Sequence, residues 1–298
     1  MAISAATTIS GFEGFLTPEM SAPIFDEVAR QSVVQRLARQ VPLGMNGKSV
    51  PFMLTQPTAA WVDEGGLKAA SNGTLDLLSM VPKKIACISV MSAEVVRANP
   101  GGYATSRNAA FAEAFAKAFD YAALYDLGGD GTGTGPFDHH IAETVHEVEF
   151  GTGTTVYNDI VSGLSLLVAD GKRLTGFAFD DKAEPLLLNA VDDNHRPLLQ
   201  ASTAEGVYSN IIGRPAMLGQ GIGDTASGTL GFGGDWSKAA WGVVGGINYS
   251  VSTEATVTIG GSLVSLWEHN LVAVLAEAEY GFVLADPDHF VAYLNAVS

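Results

Sequence analysis

The sequence predicts a mixed α+β chain of one or two globular domains, on three observations. Apolar residues make up 47% of its 298 positions, enough to bury a sizeable core. Helical spacing and strand-type alternation follow one another along the chain. No fixed repeat of about 20 to 50 residues divides it into a solenoid or propeller.

The first 44 residues read as an N-terminal arm. A Ser/Ala/Thr-rich start gives way at Pro18 to a helical pattern that places Ile24, Val28, Val33, Val34 and Leu37 on one side. Pro42, Gly44, Asn46 and Gly47 break it, and residues 45–82 then form a hairpin unit. Val50, Phe52 and Leu54 alternate on one face of its first strand. Its centre is small and polar, through Asp63, Glu64, Gly65, Gly66, Lys68, Ser71, Asn72 and Gly73, with extended flanks on both sides. So long a connection with little core of its own is expected to lie on something else, such as a neighbouring subunit.

A β-rich run over 84–91 leads to Ser92, a suitable N-cap for a short helix over 93–97. Asn99-Pro100-Gly101-Gly102 ends that helix. The spacing then predicts a helix over 105–127, about 35 Å long, with Phe111, Phe115 and Phe119 four residues apart on its packing face. Residues 128–135 are too rich in glycine for a helix or strand, and 141–149 resume a partly extended pattern. A second helix is expected over 155–172, with Ile160, Leu164, Leu167 and Val168 on one side. A β-like stretch over 176–179 and a short apolar run over 186–189 follow. Beyond a polar loop at 192–197, extended pieces are expected at 211–218, 239–247 and 256–259. The last, 271–283, puts Val272, Val274, Ala276 and Ala278 on one face and Glu277 and Glu279 on the other.

Only 16% of residues are charged, so much of the surface is expected to meet other protein. The net charge of −16, with no basic run, argues against a reader of nucleic acid that works by neutralising phosphates. Cys87 stands alone, which excludes an intrachain disulfide framework and a cysteine-rich zinc site. The first residues lack a signal-peptide pattern and no stretch reaches membrane-spanning length, so a soluble, untargeted protein is expected.

This order of parts resembles the tailed-bacteriophage major capsid protein family, the Hong Kong ninety-seven type fold, over nearly the whole chain. The pieces that carry the resemblance are Ala60-Trp61-Val62-Asp63-Glu64-Gly65 in the hairpin and Val81-Pro82-Lys83-Lys84-Ile85-Ala86 on its return. They continue with Asp192-Asp193-Asn194-His195-Arg196-Pro197-Leu198 before Gly213-Arg214-Pro215, and Gly234-Asp235-Trp236-Ser237-Lys238. Asn270 to Val274, Glu279-Tyr280-Gly281, and Asp286 to Val291 complete the series.

The resemblance implies a peripheral domain over 83–154 and 268–298 that holds the spine helix, with an axial domain inserted over 155–267. It also implies an extended loop, carrying Trp61, Asp63, Glu64 and Lys68, that reaches across a neighbour. Hexamers and pentamers would then form an icosahedral virion shell in the host bacterial cytoplasm, enclosing double-stranded DNA without sequence-specific binding. Scaffolding, portal and decoration proteins are the further partner classes, and neither a membrane nor a cofactor is implied. The chain departs from some members in having no long charged, helical N-terminal segment of the built-in scaffold kind. One branch forms a covalent lysine link assisted by a glutamate, for which Lys68 and Glu64 are the local counterparts; solvated hairpin-tip charges are the plainer reading. A related encapsulin-like compartment shell stays open as an alternative.

An acidic metal-dependent enzyme is the alternative of a different class. It would rest on His139, His140, Glu143, His146 and Glu147, but the zincin order His-Glu-x-x-His is absent and the segment alternates more like a strand. The glycines of 128–135 follow a helix and lack a Gly-Lys-Ser/Thr ending, so they fit a helix stop better than a phosphate cradle. Cys87, between Ala86 and Ile88, reads as a small buried core residue, and no Gly-x-Ser-x-Gly elbow occurs. No catalytic residue and no metal ligand is expected.

Overall fold

The phenylalanine stripe lies where the spacing puts it, on a 23-residue helix packed against a sheet. The computed structural model describes residues 32–55, 57–68, 70–98, 103–151, 156–190, 199–200, 209–224 and 226–296. Its elements are α1 (Val33–Leu37), β1 (Arg39–Gln40), β2 (Lys48–Thr55), β3 (Thr74–Met80), β4 (Lys83–Ser92), α2 (Ala93–Ala98) and α3 (Tyr103–Tyr125). After them come β5 (Glu147–Phe150), α4 (Val156–Ala169), β6 (Gly176–Asp180), α5 (Glu184–Asn189), β7 (Leu199–Gln200), β8 (Ser209–Ile211), β9 (Arg214–Gly219) and β10 (Thr229–Gly234). The chain closes with β11 (Ala239–Ser252), β12 (Thr256–Ile259), β13 (Ser262–Ser265), β14 (Leu271–Leu284) and β15 (Phe290–Asn295).

Four strands in the order β1-β11-β14-β4 form the sheet beneath α3. Ala276 and Ala278 of β14 are small enough to let Phe111 and Phe115 settle on the strand. One helical turn on, Phe119 meets the rings of Tyr280, Phe137, Trp241 and Phe282 at 5.5 to 6.2 Å. Near the end of α3, Asp120 is buried and accepts hydrogen bonds from Ser32 Oγ (2.6 Å), Val33 N (3.0 Å) and Val34 N (3.2 Å). A carboxylate at the open amides of α1 thereby ties the start of the described chain to α3.

Seven strands in the order β5-β15-β10-β6-β9-β8-β7 form the second sheet. Ile160 and Leu167 of α4 pack on it with Phe150, Phe177, Phe179 and Tyr293, while Gly163 lets Tyr293 approach the helix. β10, with the residues Thr-Leu-Gly-Phe-Gly-Gly, is not among the extended pieces expected from the sequence. It is nonetheless a buried strand, because neighbouring rings occupy the space its side chains leave. A Cβ at Gly231 would stand 2.4 Å from Phe179, and one at Gly234 would stand 2.4 Å from Phe290.

β11 pairs with β14, and β5 and β15 share a sheet with β6 and β10. The structure corrects several narrower expectations. Residues 141–143 form a 3-10 turn, and the strand starts only at Glu147. The apolar run at 186–189 belongs to helix α5, where Pro185 sits in the first turn as helices allow. The extended piece over 211–218 is the tight β8–β9 hairpin, turned at Ile212 and Gly213, both with φ of 71° or less on the positive side. Val168 of α4 is exposed, since it lies one residue past the buried Leu167 on a helix that covers the sheet with a single face. Cys87 is half-buried. The helix expected from Pro18, apart from Val33 to Leu37, the loop at 192–197 and the breaker at 99–102 lie outside the described residues.

Candidate assembly surface

β2 and β3 pair antiparallel from Lys48↔Met80 to Thr55↔Thr74. Alternation gives this ribbon two unlike faces. Val50, Phe52 and Met80 on one face are buried against Leu43 and Ala240, so the base of the hairpin is anchored in its own subunit. Lys238 Nζ also donates to Met53 O at 3.2 Å. The opposite face carries Met53, Leu75 and Leu77, which are 48%, 65% and 69% exposed. The sequence reading missed these three. Their signal was the alternation of β3, where Leu75 and Leu77 must point away from the side of Leu78 and Met80.

Past the strands, every described residue from 57 to 73 is exposed. The tip is nevertheless shaped. Gly66 N donates to Asp63 O at 2.9 Å across a turn in which Gly65 has φ 79°, a conformation that suits glycine. Ser71 Oγ donates to Thr58 O at 2.6 Å and joins the two sides of the loop. This arrangement brings together three of the four expected residues, Trp61, Asp63 and Glu64, around one turn. Lys68 follows two residues after it and makes no ion pair with Glu64 among the described residues. Trp61 and Leu67 are essentially fully exposed, an unusual position for large apolar side chains. The remaining expected residues, Phe111, Phe115 and Phe119, are 5%, 2% and 3% exposed and lie inside the subunit.

The histidine-rich segment is dispersed by its own geometry. Glu143 lies 3.1 Å from both His139 and His140, whereas His146 turns to Asp170 at 3.1 Å. Lys172 stands between Asp170 and Asp286, at 3.9 and 3.6 Å, and His289 lies 3.7 Å from Asp286. Burial lowers the pKa of His289 from its ordinary value. Among the described residues no group of three or more His, Cys, Asp or Glu side chains could hold a metal ion. The glycine-rich stretch after α3 is pinned by Asp126, which accepts at its carbonyl from Gly135 N and at its carboxylate from Phe137 N. Among the described residues no helix is long and apolar enough to cross a membrane.

The chain matches the model of the phage capsid family over residues 13–294. It is 41% identical to the probable major capsid protein gp17 of Mycobacterium phage D29, covering 99% of this chain and 94% of that protein. It is 40% identical to the protein of the same description from Mycobacterium phage L5, over 98% and 92%. Among solved structures, a chain of Gordonia phage Cozz superposes with a TM-score of 0.74 at 24% identity, over 97% and 94% of the two chains. A chain from the capsid of an empty GTA particle gives 0.68 at 14% identity, over 97% and 98%.

Proposed function

The chain belongs to the phage capsid family, and we propose from that premise that its hairpin tip is the part that fastens one copy to the next. The chain is a major capsid protein: a virion component that assembles with other copies into a multi-subunit shell, a structural role. Hexamers and pentamers are the units we assign to that shell. Within a subunit, we assign residues 83–154 and 268–298, with α3, to the peripheral domain and residues 155–267, with α4, to the axial domain. The acidic balance suits a container for double-stranded DNA that must not adhere to its contents. Scaffolding, portal and decoration proteins are the further partners, with assembly in the host cytoplasm.

One observation carries the role of the hairpin. Its base is buried in its own subunit, while beyond it Trp61, Leu67, Leu75 and Leu77 are 65 to 105% exposed. Such a surface is stabilised when a second protein covers it. Lys68 and Glu64 are solvated residues of that loop, and the three phenylalanines hold α3 to the four-stranded sheet. Negative-stain electron microscopy tests this reading on the intact chain and on a variant with residues 57–73 replaced by a short Gly-Ser turn. Shells, rings or sheets from the intact chain and dispersed, folded subunits from the variant are expected. Equal assembly by both would refute it.

A further inference from the structure

The geometry points to an acceptor for the hairpin tip: an open pocket at the C-terminal end of α3, which takes Trp61 of a second copy while Lys83 at its rim meets Asp63 and Glu64. This assignment rests on the reading that the tip lies on a neighbouring subunit, and it names the place.

The pocket has a volume of about 320 Å³. It exists because small residues meet there. Ala118 and Ala122 of α3 face the glycine-rich stretch, whose Gly128 and Gly129 supply no side chains to fill the gap. Phe119, Phe137 and Tyr280 lie at its floor, the lining mixes apolar and polar surface, and Lys83 and Lys84 of β4 stand on one side. A space of this size and character suits an aromatic ring system.

Charge makes the match directional. On a chain of net charge −16, Lys83 is a local positive charge at the pocket rim, while Lys84 beside it is offset by Glu277 and Glu279. Lys84 is already engaged by Glu277 at 2.6 Å, whereas Lys83 is exposed and has no ion pair among the described residues. The tip offers the complement, an exposed indole two residues from an exposed Asp63-Glu64 pair held on a defined turn. An apolar anchor beside opposite charges is a common form of recognition between proteins.

The tip does not reach the pocket of its own subunit. Lys83 lies three residues past Met80, at the base of the hairpin, whereas the tip lies beyond the eight residues of β2. At about 3.3 Å per residue those strands carry the tip about 25 Å away. Trp61 accordingly makes no contact that shields it in its own chain. The occupant is therefore a second copy, in which the same separation lets each hairpin span the gap between subunits.

Photocrosslinking of assembled particles tests this. Trp61→p-benzoylphenylalanine is introduced into the full chain, shells are formed from a mixture of heavy- and normal-isotope protein, and crosslinked peptides are identified by mass spectrometry. Mixed-isotope crosslinks to the peptide containing Ala118 and Ala122 or to residues 127–137 are expected. Mixed-isotope crosslinks confined to another part of the neighbour would overturn the pocket while leaving the hairpin reading in place. Crosslinks only within one chain, or none in well-formed shells, would overturn both. Charge reversal gives a second readout that does not depend on the probe. Lys83→Glu should slow shell formation by about tenfold, and adding Asp63→Lys with Glu64→Lys should restore the rate. Slowing without rescue would count against the pairing, since an exposed lysine at β4 leaves the fold intact when changed.

Discussion

Asp120→Asn offers a test of how the chain near its start is tied to α3. The carboxylate is buried and accepts from one hydroxyl and two amides, all of which favour the anion. Burial outweighs them and raises its pKa from 3.8 to about 6. Between those values the folded state holds more protons than the unfolded one, so stability falls as pH rises through the window. At about 1.36 kcal/mol per pH unit, the gap corresponds to about 3 kcal/mol, fully present below pH 3.8 and lost above about pH 6. Asparagine keeps the shape but does not titrate. Urea unfolding of unassembled wild-type and Asp120→Asn subunits, followed by circular dichroism from about pH 3.5 to about pH 7, isolates the effect. Wild type should lose about 3 kcal/mol relative to the variant across that range. A difference that stays flat or grows with pH would refute the reasoning.

Two further changes probe packing. Gly163→Ala places a Cβ 2.4 Å from the Tyr293 hydroxyl, so thermal unfolding should show a net loss of about 1–3 kcal/mol despite alanine's better helix propensity. A higher melting temperature would contradict the close approach of α4 to β15. Phe115→Ala empties a site only 2% exposed between α3 and β14, and should cost about 3–5 kcal/mol in chemical denaturation. A loss below about 1 kcal/mol would mean that α3 is not held to the sheet by this face.

Patterns with a local cause were legible in the sequence. Phe111, Phe115 and Phe119 repeat at the helical period, and the helix follows. Ser92 caps the short helix, its hydroxyl accepting from Val95 N at 3.2 Å as the reading of 93–97 requires. What escaped depends on distant partners. β10 is a strand only because Phe177, Phe179 and Phe290 occupy the room of its missing side chains. The division of strands between sheets likewise depends on which strand β14 chooses, and composition does not encode that choice. At the tip, the residue types around Trp61 marked a surface loop, and the turn at Asp63–Gly66 fits them. The outward face of Leu75 and Leu77 needed the register with Met53 and Pro51 before it could be seen as one surface. Sequence also gave no sign of the pocket, which forms where α3, the glycine-rich stretch and β4 converge.

An extended hairpin, anchored at its base, that joins neighbouring copies in a shell should be visible in a cryo-electron microscopy map of the assembled particle at side-chain resolution. Density for residues 57–73 of each copy is expected over an adjacent subunit, with Trp61 covered. A map in which every tip folds onto its own subunit, or stands in solvent without touching a neighbour, would contradict it.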